Sequence, residues 1–110
     1  MSPEPFAIDV ELALRPGTDE RAPGGEVTVA LCGHWEHEGA CRWPHNSAFA
    51  APSHLRTVVS ADAADRAEII SRVEQQLRAD ERWAVVGFAT GEIAAGEQAL
   101  ADRLAQSPRR

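Results

Sequence analysis

Apolar and polar residues alternate from Phe6 to Leu14: Phe6, Ile8, Val10, Leu12 and Leu14 fall on one side, Asp9 and Glu11 on the other. A period of two is that of a half-buried strand, with one face on a core and one in water. The stretch from Arg15 to Gly25 is rich in proline, glycine and acidic residues and predicts a polar connection. From Glu26 the alternation resumes, with Val27, Val29, Leu31, Gly33 and Trp35 on the apolar side. Thr28, Ala30, Cys32, His34 and Glu36 share the other side, and the segment predicts a second strand. Gly39 and Pro44 then interrupt regular structure, so residues 32–54 are expected to run from a strand end into a constrained loop. A third strand is expected around Leu55–Ser60.

The pattern changes after that. Ala63, Ala67, Ile70, Val73 and Leu77, joined by Ile69, recur at helical spacing, which predicts a helix from Asp62 to about Ala79. Ser60 or Asp62 is placed to cap it, and the pairs Asp62–Arg66, Glu68–Arg72 and Glu74–Arg78 each put the acid four residues before the base. Trp83–Thr90 is almost free of polar side chains, which predicts a fourth strand in the middle of the sheet. A second helix is expected from Thr90 or Gly91, turning Ile93, Leu100 and Leu104 inward, with residues 106–110 as a frayed tail. The order β-β-β-α-β-α implies one α+β domain over residues 1–110. Its form is a two-layer sandwich: a four-stranded, mainly antiparallel sheet with two helices on one face. The uncovered face, carrying Thr28, Ala30 and Cys32, or an edge strand beside the loop, is the expected seat of a homodimer.

At 110 residues the chain is long enough to bury a core unaided, and its 44% hydrophobic and 25% charged residues are those of a globular domain. The net charge of −6, without a basic stripe, argues against nucleic acid as a partner. No apolar run reaches membrane length. Met1-Ser-Pro-Glu-Pro-Phe6 carries neither a cationic stretch nor an apolar run, so a cytoplasmic location with reduced thiols is expected. The basic residues are all arginine and alanine is abundant, which suggests a GC-rich bacterial genome and bears on codon supply only.

The chemistry is concentrated in residues 32–45, which hold both cysteines, three of the four histidines and two of the three tryptophans. Imidazole and thiolate together suit zinc. Two spacings stand out, His34-x-x-His37 and Cys41-x-x-x-His45. His37, Cys41 and His45 form the tightest subset. His34 is favoured as the fourth ligand over Cys32, His54 or a water, because a turn can bring the two pairs into one tetrahedron. Taken singly, Cys32 reads as a small buried hydrophobe and His54 as a loop residue making an ordinary hydrogen bond. Trp35 and Trp43 would cover the loop, with Arg42 beside the second ring.

Several catalytic patterns are excluded. His34-Trp-Glu-His37 is one residue short of an inverted zincin, and the His-x-Glu of the zinc deaminases lacks its Pro-Cys-x-x-Cys partner here. Met1 is the sole methionine, which removes the axial ligand of a blue-copper site. Cys32 and Cys41 are too far apart in sequence for a thioredoxin-like pair. The expectation is therefore a small cytoplasmic zinc protein with a structural or regulatory site. The alternatives are a metalloenzyme using Glu36 or Glu38 as general base and a metal-free interaction module.

Overall fold

The alternating N-terminal segment forms β1, Glu4–Leu14, with Phe6, Ile8, Val10 and Leu12 almost wholly buried. The computed structural model describes residues 3–33 and 42–107. After β1 come α1 (Ala22–Cys32), β2 (His45–Ala50), β3 (His54–Ala61), α2 (Arg66–Arg78), β4 (Trp83–Gly91) and α3 (Gln98–Ala105). The strands form one antiparallel four-stranded sheet in the order β2-β3-β1-β4. The first six elements follow the split βαββαβ order of ferredoxin-like folds, with α3 appended. The α+β two-layer expectation holds, with three helices where two were expected. Such a fold hosts many activities and assigns none.

Register decides what the sheet shows to each side. Phe6 lies opposite Val59, Ile8 opposite Thr57 and Val10 opposite Leu55, and this side packs on the helices. Ala7 opposite Val58, Asp9 opposite Arg56 and Glu11 opposite His54 point the other way. Above the first side, Val27 and Leu31 of α1 and Ile69, Val73 and Leu77 of α2 complete the core with Trp43 and Trp83. Trp83 Nε1 also donates to the Leu77 carbonyl at 2.9 Å, tying the end of α2 to the start of β4. Of the three charge pairs on α2, Glu68–Arg72 and Glu74–Arg78 form at 2.8 and 3.0 Å. Arg66 lies instead 4.6 Å above the Phe6 ring.

Four sequence expectations are corrected. Residues 22–32 form a helix where alternation predicted a strand: Val27 and Leu31 are a buried i, i+4 pair, Pro23 sits in the first turn, and Gly33 ends the helix. With φ +84° Gly33 adopts the left-handed cap, its N–H donating to Val29 O at 2.9 Å. Because α1 is buried on several sides, through Glu26, Val27, Thr28, Leu31 and Cys32, no clean helical stripe appears in its sequence. In consequence Thr28, Ala30 and Cys32 lie on a helix and not on an open sheet face, and that route to a homodimer has no basis.

Second, His45–Ala50 is a strand where a loop was expected, with His45, Ser47 and Phe49 facing α1. Third, β4 is an edge strand, not a central one. Trp83, Val85 and Phe88 turn toward the core while Ala84, Val86 and Ala89 are exposed, Val86 at 71%, so the strand lacks charge without being buried on both faces. Fourth, the helical layer over the core consists of α1 and α2, whereas α3 begins only at Gln98, after a 3-10 turn at Ala95–Glu97, and packs on β3.

Leu77→Ala removes a fully buried side chain and is expected to lower unfolding free energy by about 2–5 kcal/mol. Gly33→Ala, which forces a left-handed φ on alanine with no atom in its way, is expected to cost about 1 kcal/mol. Urea denaturation measures both, and an unchanged midpoint for Gly33→Ala would contradict the helix end at this residue.

Candidate functional site

The two ends of the histidine- and cysteine-rich segment are held by regular structure. Cys32 is the last residue of α1 and His45 the first of β2. His34, His37 and Cys41 lie outside the described residues, as do Trp35, Glu36 and Glu38. Cys32 is 5% exposed and is part of a disulfide. The reduced thiol expected from the sequence is therefore not the state seen, although the expected burial is.

His45 is 7% exposed and held through both ring nitrogens. Nδ1 is 3.0 Å from the Trp43 carbonyl oxygen and 3.9 Å from Cys32 Sγ, while Nε2 is 3.2 Å from Thr28 Oγ1. Thr28 Oγ1 is in turn 3.2 Å from the Gly24 carbonyl oxygen. A carbonyl only accepts, so the 3.0 Å contact with Trp43 O calls for Nδ1–H as donor, and in the neutral ring Nε2 then accepts from the Thr28 hydroxyl. The other tautomer, with Nε2–H donating to Thr28 Oγ1 and that hydroxyl donating to Gly24 O, sets Nδ1 and the Trp43 carbonyl against each other as two acceptors.

The Trp43 side chain is buried, its Nε1 donates to Asp65 Oδ2 at 3.3 Å, and Arg42 and Arg72 stand 4.2 and 5.2 Å from its ring centre. Arg42 is therefore beside the ring as expected, whereas the loop that Trp43 was expected to cover lies outside the described residues. Arg72 comes from α2, so the ring is held against the helical layer.

Thr28 and His45 also line a cleft of about 560 Å³ between the start of α1 and β2, with Gly24, Ser47, Phe49 and Leu55. A Cβ on Gly24 would stand 3.4 Å from Ser47 Cβ, so glycine here lets α1 approach β2. Sequence reading missed Thr28 and Gly24 because it took Thr28 for a strand residue and Gly24 for part of the polar connection before it. Their i, i+4 spacing, followed by Val27 and Leu31 at the same interval, was the signal for it.

His54 is not part of this arrangement. It pairs with Ala50 at the far end of the β2–β3 ladder, whereas His45 pairs with Val59. Five residues of strand put the two about 17 Å apart. His54 Nε2 is 2.8 Å from Asp9 and its Nδ1 3.6 Å from Glu11, which matches the ordinary hydrogen bond expected of it. Beside it Arg56 bridges Asp9 at 2.7 Å and Glu97 at 2.6 Å, so β1, β3 and the approach to α3 are clamped through one guanidinium.

The side-chain hydrogen bond from Arg56, helped by the Ala94 backbone N–H, holds the Glu97 carboxyl down at about 2 from its ordinary 4.5. Burial by itself would raise Asp9, but hydrogen bonds from His54 and Arg56 outweigh it and leave that carboxyl lowered too. These are structural ion pairs. Among the described residues no group of three or more His, Cys, Asp or Glu is placed to hold a metal ion. No protein-family model matches this chain, and no curated protein or solved structure matches it significantly.

Because Glu97 is depressed in the folded state, its contribution to stability is complete above about pH 4.5 and is lost as pH falls toward 2. Glu97→Gln is expected to cost on the order of 1 kcal/mol at neutral pH and to flatten the loss of stability between about pH 5 and 2. Urea midpoints measured across that range test this; parallel curves for the two proteins would refute it.

Proposed function

We propose that this domain binds a transition metal, zinc by default, at the junction of α1 and β2. Cys32 and His45 serve as ligands, with Cys41 and one of His34 or His37 completing the set. The observation that carries the reading is the 3.9 Å between Cys32 Sγ and His45 Nδ1, residues thirteen apart in sequence. In a tetrahedral site with Zn–S of about 2.3 Å and Zn–N of about 2.0 Å, those atoms stand roughly 3.5 Å apart. Two ligands at opposite ends of the segment are thus already near their final spacing, and the intervening residues supply the rest.

The hydrogen bonds of His45 support the same reading. With Nδ1 on the metal, Nε2–H donates to Thr28 and Thr28 to Gly24 O, an outer shell of the kind that orients ligating histidines. Four protein ligands close the site to substrate, which makes its role structural or regulatory. A reducing compartment such as the cytoplasm keeps cysteines in the form that binds metal. The cleft beside His45 and Thr28 favours, as a second reading, a metalloenzyme with an open position and Glu36 or Glu38 as base.

The test is a cobalt titration of protein kept reduced by a phosphine. One equivalent is expected to bind with tetrahedral visible bands and a thiolate-to-cobalt charge-transfer band. Cys32→Ser and His45→Ala should weaken binding by about 100-fold or more, Thr28→Val by about 10- to 100-fold, and His54→Ala not at all. No cobalt bound at micromolar protein, or binding indifferent to Cys32 and His45, would overturn the reading.

A further inference from the structure

We infer that α3 is a latch on the back of the sheet: residues 92–107 detach from β3 as one unit while the two-layer core stays folded, and Arg56 sets how often they do so. The latch is independent of the metal-binding reading and lies on a different face of the molecule. α1 and α2 cover the front of the sheet, where Phe6, Val10, Leu55 and Val59 lie. On the back, Ala7 and its ladder partner Val58 are 0% and 2% exposed although they point away from both of those helices. α3 packs on β3, and its approach is fixed to Arg56 on that same side, so α3 is what covers them.

The cover is held by little apolar surface. Of the eight residues of α3 only Ala101 is buried; Leu100 and Leu104 are half-buried and the other five are exposed. α2, in contrast, sinks Ile69, Val73 and Leu77 completely. Apolar burial therefore contributes far less to docking α3 than to docking α2, and a helix this short does not persist in water by itself. Segments of this kind are the first to open. The chain leading to α3 leaves the β1–β4 ladder at Gly91, so its detachment breaks no strand pairing.

One guanidinium offsets that weakness. Arg56 donates from Nε and Nη2 to the two oxygens of Glu97 at 2.8 and 2.6 Å, and from Nη1 to Asp9 at 2.7 Å. Glu97 Oε1 also accepts the Ala94 N–H at 2.8 Å, which closes the turn before α3. A fork of two charge-assisted bonds is stronger and more directional than a single contact. Asp9 stays on Arg56 when Glu97 leaves, so opening strands no buried charge. The closed state thus gains one bidentate ion pair and covers Ala7 and Val58. The open state exposes that face and frees the helix.

Native-state hydrogen exchange of the intact protein, read amide by amide at neutral pH, tests the latch. The amides of residues 102–105 are expected to exchange at least about 100-fold faster than those of β1 and of Ile69–Leu77, through an opening nearly insensitive to dilute urea. Glu97→Gln, which removes the charge from the fork, is expected to speed residues 102–105 by about 5- to 10-fold. Leu77→Ala shows whether the unit is separate: exchange in β1 and α2 rises by about 30-fold or more, while residues 102–105 stay within about 2-fold of the wild type. Ile69→Val repeats that comparison with a milder cut in the same core. Residues 102–105 exchanging together with the core in the wild type, following the core in the Leu77 or Ile69 variants, or ignoring Glu97→Gln would each overturn the latch.

Discussion

The register of β1 against β3 is the constraint on which the rest of this molecule hangs. β1 is hydrogen-bonded on both sides, to β3 and to β4, and its even-numbered residues from Phe6 to Leu12 are the floor of the core. Sliding this pairing by one residue would turn Asp9 and Glu11 into the core and Ile8 and Val10 out to water, which is why the register is strongly specified. Everything placed above the floor inherits that choice. Val59 and Leu55 face the helices because Phe6 and Val10 do, and His45, opposite Val59, faces α1 for the same reason.

The junction of α1 and β2 follows from how closely those two elements approach. Gly24 opposite Ser47 removes a side chain where one would crowd, and one turn later Thr28 meets His45. At the far end of the helix the Gly33 cap stops α1 with Cys32 beside the same imidazole. The result is a histidine whose ring plane and tautomer are governed by one hydroxyl and two carbonyls, next to a sulfur that is half of a disulfide. Hydrogen-bond partners on both nitrogens make buried imidazole tolerable and also fix where its lone pair can point.

The opposite side of the sheet follows a different logic. Asp9, Glu11, His54, Arg56 and Glu97 form a partly exposed network in which carboxylates outnumber cations, and the shared guanidinium of Arg56 keeps two of them ionised at low pH. It ties β1 and β3 to the segment leading into α3 and accounts for His54 without any metal. The two described histidines thus have different roles, one buried against a disulfide and one solvated among acids.

Where a strand or helix has one wet face, the sequence by itself determined the element. β1 and α2 were legible from the spacing of Phe6 to Leu14 and Ile69 to Leu77, because water on one side imposes a period on the other. The crowding of cysteine and histidine between residues 32 and 45 was legible in the sequence as composition alone. Tertiary structure alone decided the rest. α1 is buried on several sides and rich in β-branched residues, so its period is lost and local preference points to a strand; packing on α2 and β2 overrules it. β4 shows uncharged residues outward, Val86 among them, so composition does not separate an edge from a centre. That Cys32 rather than His54 stands beside His45 depends on which residues the sheet and helix bring together across thirteen and nine positions of chain, a distance relation that no local pattern encodes.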